Sequence, residues 1–284
     1  MVGSLLLRGM LVGVLAGLLS FGFARVFGEP AVNRAIAFEE AHAEGPAPAA
    51  APASPAATPH VHADGSTHMH AAAPEPAAAE GHSHGGEEEL VSRSTQAGLG
   101  LLTGTVVYGA AMGGIFALVF AFALGRVGPL SPRATVVLLA LGGFLAIVLV
   151  PGLKYPANPP AVGDGATIGF RTQMFFLMLA ASLVALTGAV LLARRLAARH
   201  GAWNGIVAAA LAYVAVIALV QMALPTINEV PAEFSASLLW EFRIATLGIQ
   251  AVLWTTLGLV FGPLAERSLR AHRGVRLASA GALR

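Results

Sequence analysis

Residues 5–27 read LLLRGMLVGVLAGLLSFGFARVF, an unbroken apolar run with only two charges, Arg8 and Arg25. A helix rises about 1.5 Å per residue and the hydrocarbon core of a bilayer is about 30 Å thick, so roughly 20 such residues cross it. The two arginines stand near the ends of the run, where long side chains snorkel to the interface. Five further stretches qualify, at about 99–124, 134–150, 172–193, 203–224 and 238–261. The third is short and stops at Val150-Pro151, so it spans only with little tilt or by borrowing flanking residues.

The whole chain agrees with this reading. Of its 284 residues 56% are hydrophobic and only 11% charged, far from the balance of a soluble globular domain. The expected fold is all-α: a polytopic transmembrane bundle of about six spanning helices, forming one membrane domain over residues 1–284. There is no cysteine, which excludes disulfides, thiolate metal sites and cysteine nucleophiles together.

Orientation follows from the arginines and lysines in short loops, because basic flanks are retained on the cytoplasmic side. With both termini inside, the inner face carries Arg8, Arg126, Arg133, Arg194, Arg195, Arg199, Arg267, Arg270, Arg273, Arg276 and Arg284. The outer face keeps Arg34, Arg93 and Lys154, and the acidic loop around Glu229 and Glu233 falls outside as well. Gly22-Phe23-Ala24 offers small residues of the kind a signal peptidase cuts, but the apolar run is longer than a signal core of about 7–15 residues and lacks a basic cluster at its start. The first helix is therefore expected to stay. It also carries Gly9, Gly13 and Gly17 at intervals of four, a face on which another helix backbone approaches closely, and Gly109 and Gly113 repeat the pattern in the second helix.

Between Glu44 and Gly86 the composition changes to Ala, Pro, Gly, Glu and His. Such a segment buries too little apolar surface to offset its ordering entropy, so residues 44–86 read as a disordered extracytoplasmic insertion. Just before it, Pro30 followed by Val32, Ile36 and Phe38 among polar residues predicts a short amphipathic helix over 28–41 lying at the interface.

Seven of the nine histidines fall between the first two spans, His42 and six within 44–86, and those six form the pairs His60-x-His62, His68-x-His70 and His82-x-His84. In an extended chain the i and i+2 side chains point the same way, so each pair presents two imidazoles to one ion. Imidazole suits Zn, Cu, Ni and Co, and with an ordinary pKa of about 6.5 the rings are mostly neutral and ready to ligate at neutral pH. His60, His62, His68, His70, His82 and His84 are therefore the candidate metal ligands. A loose tract imposes no geometry, so its affinities follow the general divalent order and it does not set selectivity. The bland reading is histidine used by chance in a low-complexity stretch.

Ionisable groups near the bilayer are the second set, since they usually line a pathway or pair with one another. Glu29 follows the first helix, Glu241 and Arg243 enter the sixth through Trp240-Glu-Phe-Arg, and Asn158 and Asp164 lie in the proline-rich run 154–164. That run offers hard oxygen ligands at a pore mouth or serves as a rigid cap over the bundle. Glu241 and Arg243 read equally well as an interfacial ion pair beside a tryptophan anchor. Met112, Met174, Met178 and Met222 could form a thioether site for a soft ion but read first as packing, and Tyr155, Trp203 and Trp254 as interfacial anchors or residues of helix faces. No phosphate-gripping loop, nucleophile elbow or His-Glu-x-x-His is present, so no enzymatic activity is expected and any driving force comes from a partner or a gradient.

Three stretches resemble the CbtA family of bacteria, whose members are probable cobalt transporter subunits. They are Gly28-Glu29-Pro30 through Ala35-Ile36-Ala37-Phe38-Glu39-Glu40, the run from Lys154-Tyr155-Pro156 to Val162-Gly163-Asp164, and Trp240-Glu241-Phe242-Arg243 with Gly248-Ile249-Gln250. The resemblance implies a multi-pass protein of the bacterial inner membrane that takes up cobalt for cobalamin synthesis beside a small, single-helix, histidine-bearing CbtB protein. It implies a transported metal rather than a tightly bound cofactor. On that basis Glu29, Glu39, Asn158, Asp164 and Glu241 are the candidates for the mouth of a transport pathway. The alternative is a membrane metal sensor or a scaffold that buffers metal for a partner transporter.

Overall fold

The computed structural model describes residues 2–43 and 91–281, with side chains placed over 2–42 and 91–271. Within these residues the chain forms six long helices and no strand. Helix α1 spans Val2–His42, α2 Arg93–Ala123, α3 Pro132–Lys154, α4 Ile168–His200, α5 Ala202–Ala223 and α6 Ala236–Gly281. All six are long and apolar enough to cross a membrane, as hydropathy predicts.

Helices α1 and α2 meet through their glycines. A Cβ on Gly13 would lie 2.8 Å from the Gly109 carbonyl carbon, one on Gly113 would lie 2.8 Å from Gly13 Cα, and one on Gly17 would lie 2.8 Å from Val106 Cα. Two backbones in direct contact exchange dispersion energy along their length, which is the main attraction available where lipid removes the hydrophobic driving force. Helices α3 and α6 complete one core around Val12, Phe116, Val136, Leu257 and Phe261. Phe120 meets the Phe261 ring edge to face at 5.4 Å between centroids.

Helices α4 and α5 form a hairpin that reaches the rest through α3. Gly201, at φ +83°, makes the reversal in a conformation that L side chains rarely adopt. Met178, fully buried, packs with Val150, Tyr213 and Ile217, so it is packing material as expected.

Three local expectations are corrected. The third span does not stop at Val150-Pro151 but continues to Lys154, and its start is set by Ser131, whose hydroxyl accepts from Ala134 N–H at 3.2 Å. The segment 28–41 is not a separate helix on the membrane surface. It continues α1 and packs Ala31, Ala35 and Phe38 against Val162, Phe234 and Leu238. Both continuations pass a proline in the same way. A π turn, Ala24–Gly28 or Phe144–Leu149, precedes it, and the residue before the proline donates to the carbonyl five back: Glu29 to Ala24 and Val150 to Leu145. The wider turn relieves the clash between the proline ring and the carbonyl four back that would otherwise break the helix. Finally, Trp254 is no surface anchor. It is buried against Gly143 and lies edge to face with Phe116 at 6.3 Å.

Candidate functional site at the loop end of the bundle

The 155–164 and 224–235 loops gather at the end of the bundle where α1 emerges toward residue 43 and α2 begins, and every pathway candidate is found there. Four arginines join the elements. Arg34 of α1 pairs with Glu241 of α6. Arg93, at the start of α2, pairs with Glu29 at 2.5 Å and donates to Asn33 Oδ1 at 3.0 Å. Arg171 of α4 lies 3.3 Å from a Glu229 carboxylate oxygen. Arg243 of α6 donates to Asn158 Oδ1 at 3.1 Å and to the Ala157 carbonyl at 3.3 Å. Glu241 and Arg243 thus have different partners and are not paired with each other as anticipated.

The proline-rich run is pinned from both sides. Asp164 Oδ1 accepts from Ala166 N–H at 2.8 Å and caps the single 3₁₀ turn Gly165–Thr167 that leads into α4. Its backbone N–H donates to Glu229 at 2.9 Å, its carbonyl accepts from Arg171 at 3.0 Å, and the Thr167 hydroxyl donates to Glu229 at 2.7 Å. The Asp164 N–H, then the Thr167 hydroxyl and the Arg171 charge, hold the Glu229 carboxyl below its ordinary pKa. Gly163, at φ +117°, leaves the space that the Arg171 guanidinium fills, since a Cβ there would lie 2.8 Å from its central carbon. The Tyr155 hydroxyl donates to the Pro225 carbonyl at 2.8 Å, tying this loop to the one that enters α6, and burial pushes its pKa up.

A half-open cavity of about 380 Å³ lies under these loops, lined among others by Tyr155, Asn158, Arg171, Phe175, Glu229 and Arg243. The five pathway candidates therefore divide. Asn158 is at the cavity and Asp164 is fixed to Glu229 beside it, whereas Glu29 and Glu241 meet arginines along α1, and Glu39 is exposed farther out on that helix. The six candidate metal ligands His60, His62, His68, His70, His82 and His84 lie outside the described residues. Among the described residues no group of three or more His, Asp or Glu side chains is placed to hold a metal ion. The sequence reading missed Arg171 as a charge at this end; it follows the loop directly within Gly169-Phe170-Arg171, and that position is its only signal.

No curated protein and no solved structure matches the chain. A family model described as "Probable cobalt transporter subunit (CbtA)" matches residues 2–266, which cover both the glycine-packed helix pair and the arginine-pinned loops. The chain is a member of the CbtA family, a multi-pass membrane protein of a cobalt transporter subunit family.

Proposed function

We propose that this chain imports a divalent transition metal, cobalt foremost, across the bacterial inner membrane to supply cobalamin synthesis, with both termini cytoplasmic. The family match over residues 2–266 carries this reading, and the three His-x-His pairs of the 44–86 insertion support it. The insertion collects ions on the outer face and passes them to oxygen ligands at the mouth. The arginine pairs set the order of transfer. Arg34 and Glu241 are 53% and 50% exposed, and an ion pair so wet is worth only about 0–1 kcal/mol, so an arriving dication readily takes the Glu241 carboxylate. Glu39 lies nearer the insertion and is a first stop. Glu29 is only 10% exposed and exchanges its Arg93 partner later. Asn158 and Asp164 serve the pathway where the loops close over the cavity. A small CbtB-like membrane helix completes the transporter.

Deletion of residues 46–86 tests the capture step. The cobalt concentration for half-maximal uptake is expected to rise several-fold while the maximal rate stays unchanged. Uptake abolished even at saturating cobalt would make the insertion part of the pathway itself, and unaltered uptake at low cobalt would remove it from capture.

A further inference from the structure

Of the four arginines that join elements at the loop end, three meet a carboxylate: Arg34 with Glu241, Arg93 with Glu29 and Arg171 with Glu229. Arg243 does not. Its two hydrogen-bond partners, the Ala157 carbonyl and Asn158 Oδ1, are both neutral. A guanidinium carries five N–H donors, so most of its capacity is left over, and the side chain is half-buried at the wall of the 380 Å³ cavity. Arg171 lines the same cavity, as do Thr172 and Asn228. A partly desolvated cation with only neutral partners, in a cavity that holds a second guanidinium, favours an anion. The Arg171 charge is offset by Glu229, so the wall as a whole carries one net positive charge. Phe175, Ile168 and Val230 make the remainder of the wall apolar, which suits an anionic group attached to an apolar body.

We propose that this cavity binds a phosphate-class oxyanion, with Arg243 as its principal ligand and Arg171 as the second. Guanidinium groups match phosphate oxygens through paired N–H donors. Here two such groups come from different helices, α4 and α6, so the bound anion ties the α4–α5 hairpin to the four-helix core. The phosphate is supplied either by a phospholipid headgroup or by the free ion. The proposal uses the cavity that Asn158 also lines but does not rest on the metal-transport reading: it concerns an anion and is decided by binding, not by uptake.

The test uses the purified full-length chain with three probes: phosphatidylglycerol in nanodiscs otherwise made of a lipid without a phosphate headgroup, inorganic phosphate, and chloride at matched ionic strength. Retained lipid is counted by native mass spectrometry and stability is read as melting temperature. The wild type is expected to retain phosphatidylglycerol, or to be stabilised by inorganic phosphate beyond chloride, and which of these occurs identifies the source. Arg243→Gln should weaken that binding at least tenfold and Arg243→Lys should weaken it less. Arg126→Gln, at the opposite end where the guanidinium lies over the Phe122 ring, should leave it unchanged. A wild-type chain that retains no phosphatidylglycerol and does not distinguish phosphate from chloride overturns the proposal, with no variant needed. Equal binding by wild type and folded Arg243→Gln overturns it as well.

Discussion

Gly13→Leu is expected to prevent assembly of the bundle, with little monodisperse protein recovered and the recovered fraction melting far below the wild type. Inserting side-chain atoms into a packed core that can relax costs about 1–3 kcal/mol. At Gly13 the obstacle is not a flexible side chain but the backbone of α2, at the Gly109 carbonyl and Ala110 Cα, so the helices must separate. Separation also removes the contacts at Gly9, Gly17 and Gly113, which form the same interface. Gly13→Ala should give a smaller loss of the same kind. The controls lie on the same two helices: nothing is found within 4 Å of a Cβ on Gly22 or Gly104, so Gly22→Leu and Gly104→Leu should melt close to the wild type. Equal melting of Gly13→Leu and Gly22→Leu would show that α1 and α2 do not pack through this face.

The second large effect is expected at the Glu29–Arg93 pair. The Glu29 side chain is only 10% exposed, and removing one partner of a buried ion pair costs about 3–5 kcal/mol because the other charge is left unmatched. Arg93 is 31% exposed, so water replaces part of what Glu29 gave it, and the two single variants should differ. Arg93→Met is expected to destabilise by about 3 kcal/mol, near the lower end of that range. Glu29→Gln should cost less, since Arg93 keeps Asn33 as an acceptor. The double variant should recover most of the loss, and thermal melting of all four proteins measures the coupling. Strictly additive losses would show that the two side chains do not interact.

The spans were legible because each apolar run is longer than any soluble helix needs, and Gly9, Gly13 and Gly17 announced a backbone contact by spacing alone. Their partner glycines on α2 were equally visible. Pro30 and Pro151 misled, since proline is locally a helix boundary, and the π turns that admit it into a continuous helix leave no mark in composition. Trp254 misled for a different reason: a helix apolar all round has no periodicity to separate its core face from its lipid face. The loop-end residues were legible one at a time but not as pairs. Glu29 and Arg93 are 64 positions apart and Arg34 and Glu241 are 207 apart, so no local pattern connects them. Charge alone made each carboxylate a plausible cation ligand, whereas the fold gives two of them to arginines and uses Asp164 to cap a turn.

Cobalt import is tested most directly by radioactive cobalt uptake into cells that lack their own cobalt importers, expressing this chain with and without a small single-helix partner. Saturable uptake that nickel and zinc inhibit only weakly, in at least the paired arrangement, is the predicted result. No uptake in either arrangement, with membrane insertion verified, would contradict import and leave the chain a metal sensor or a scaffold for another transporter.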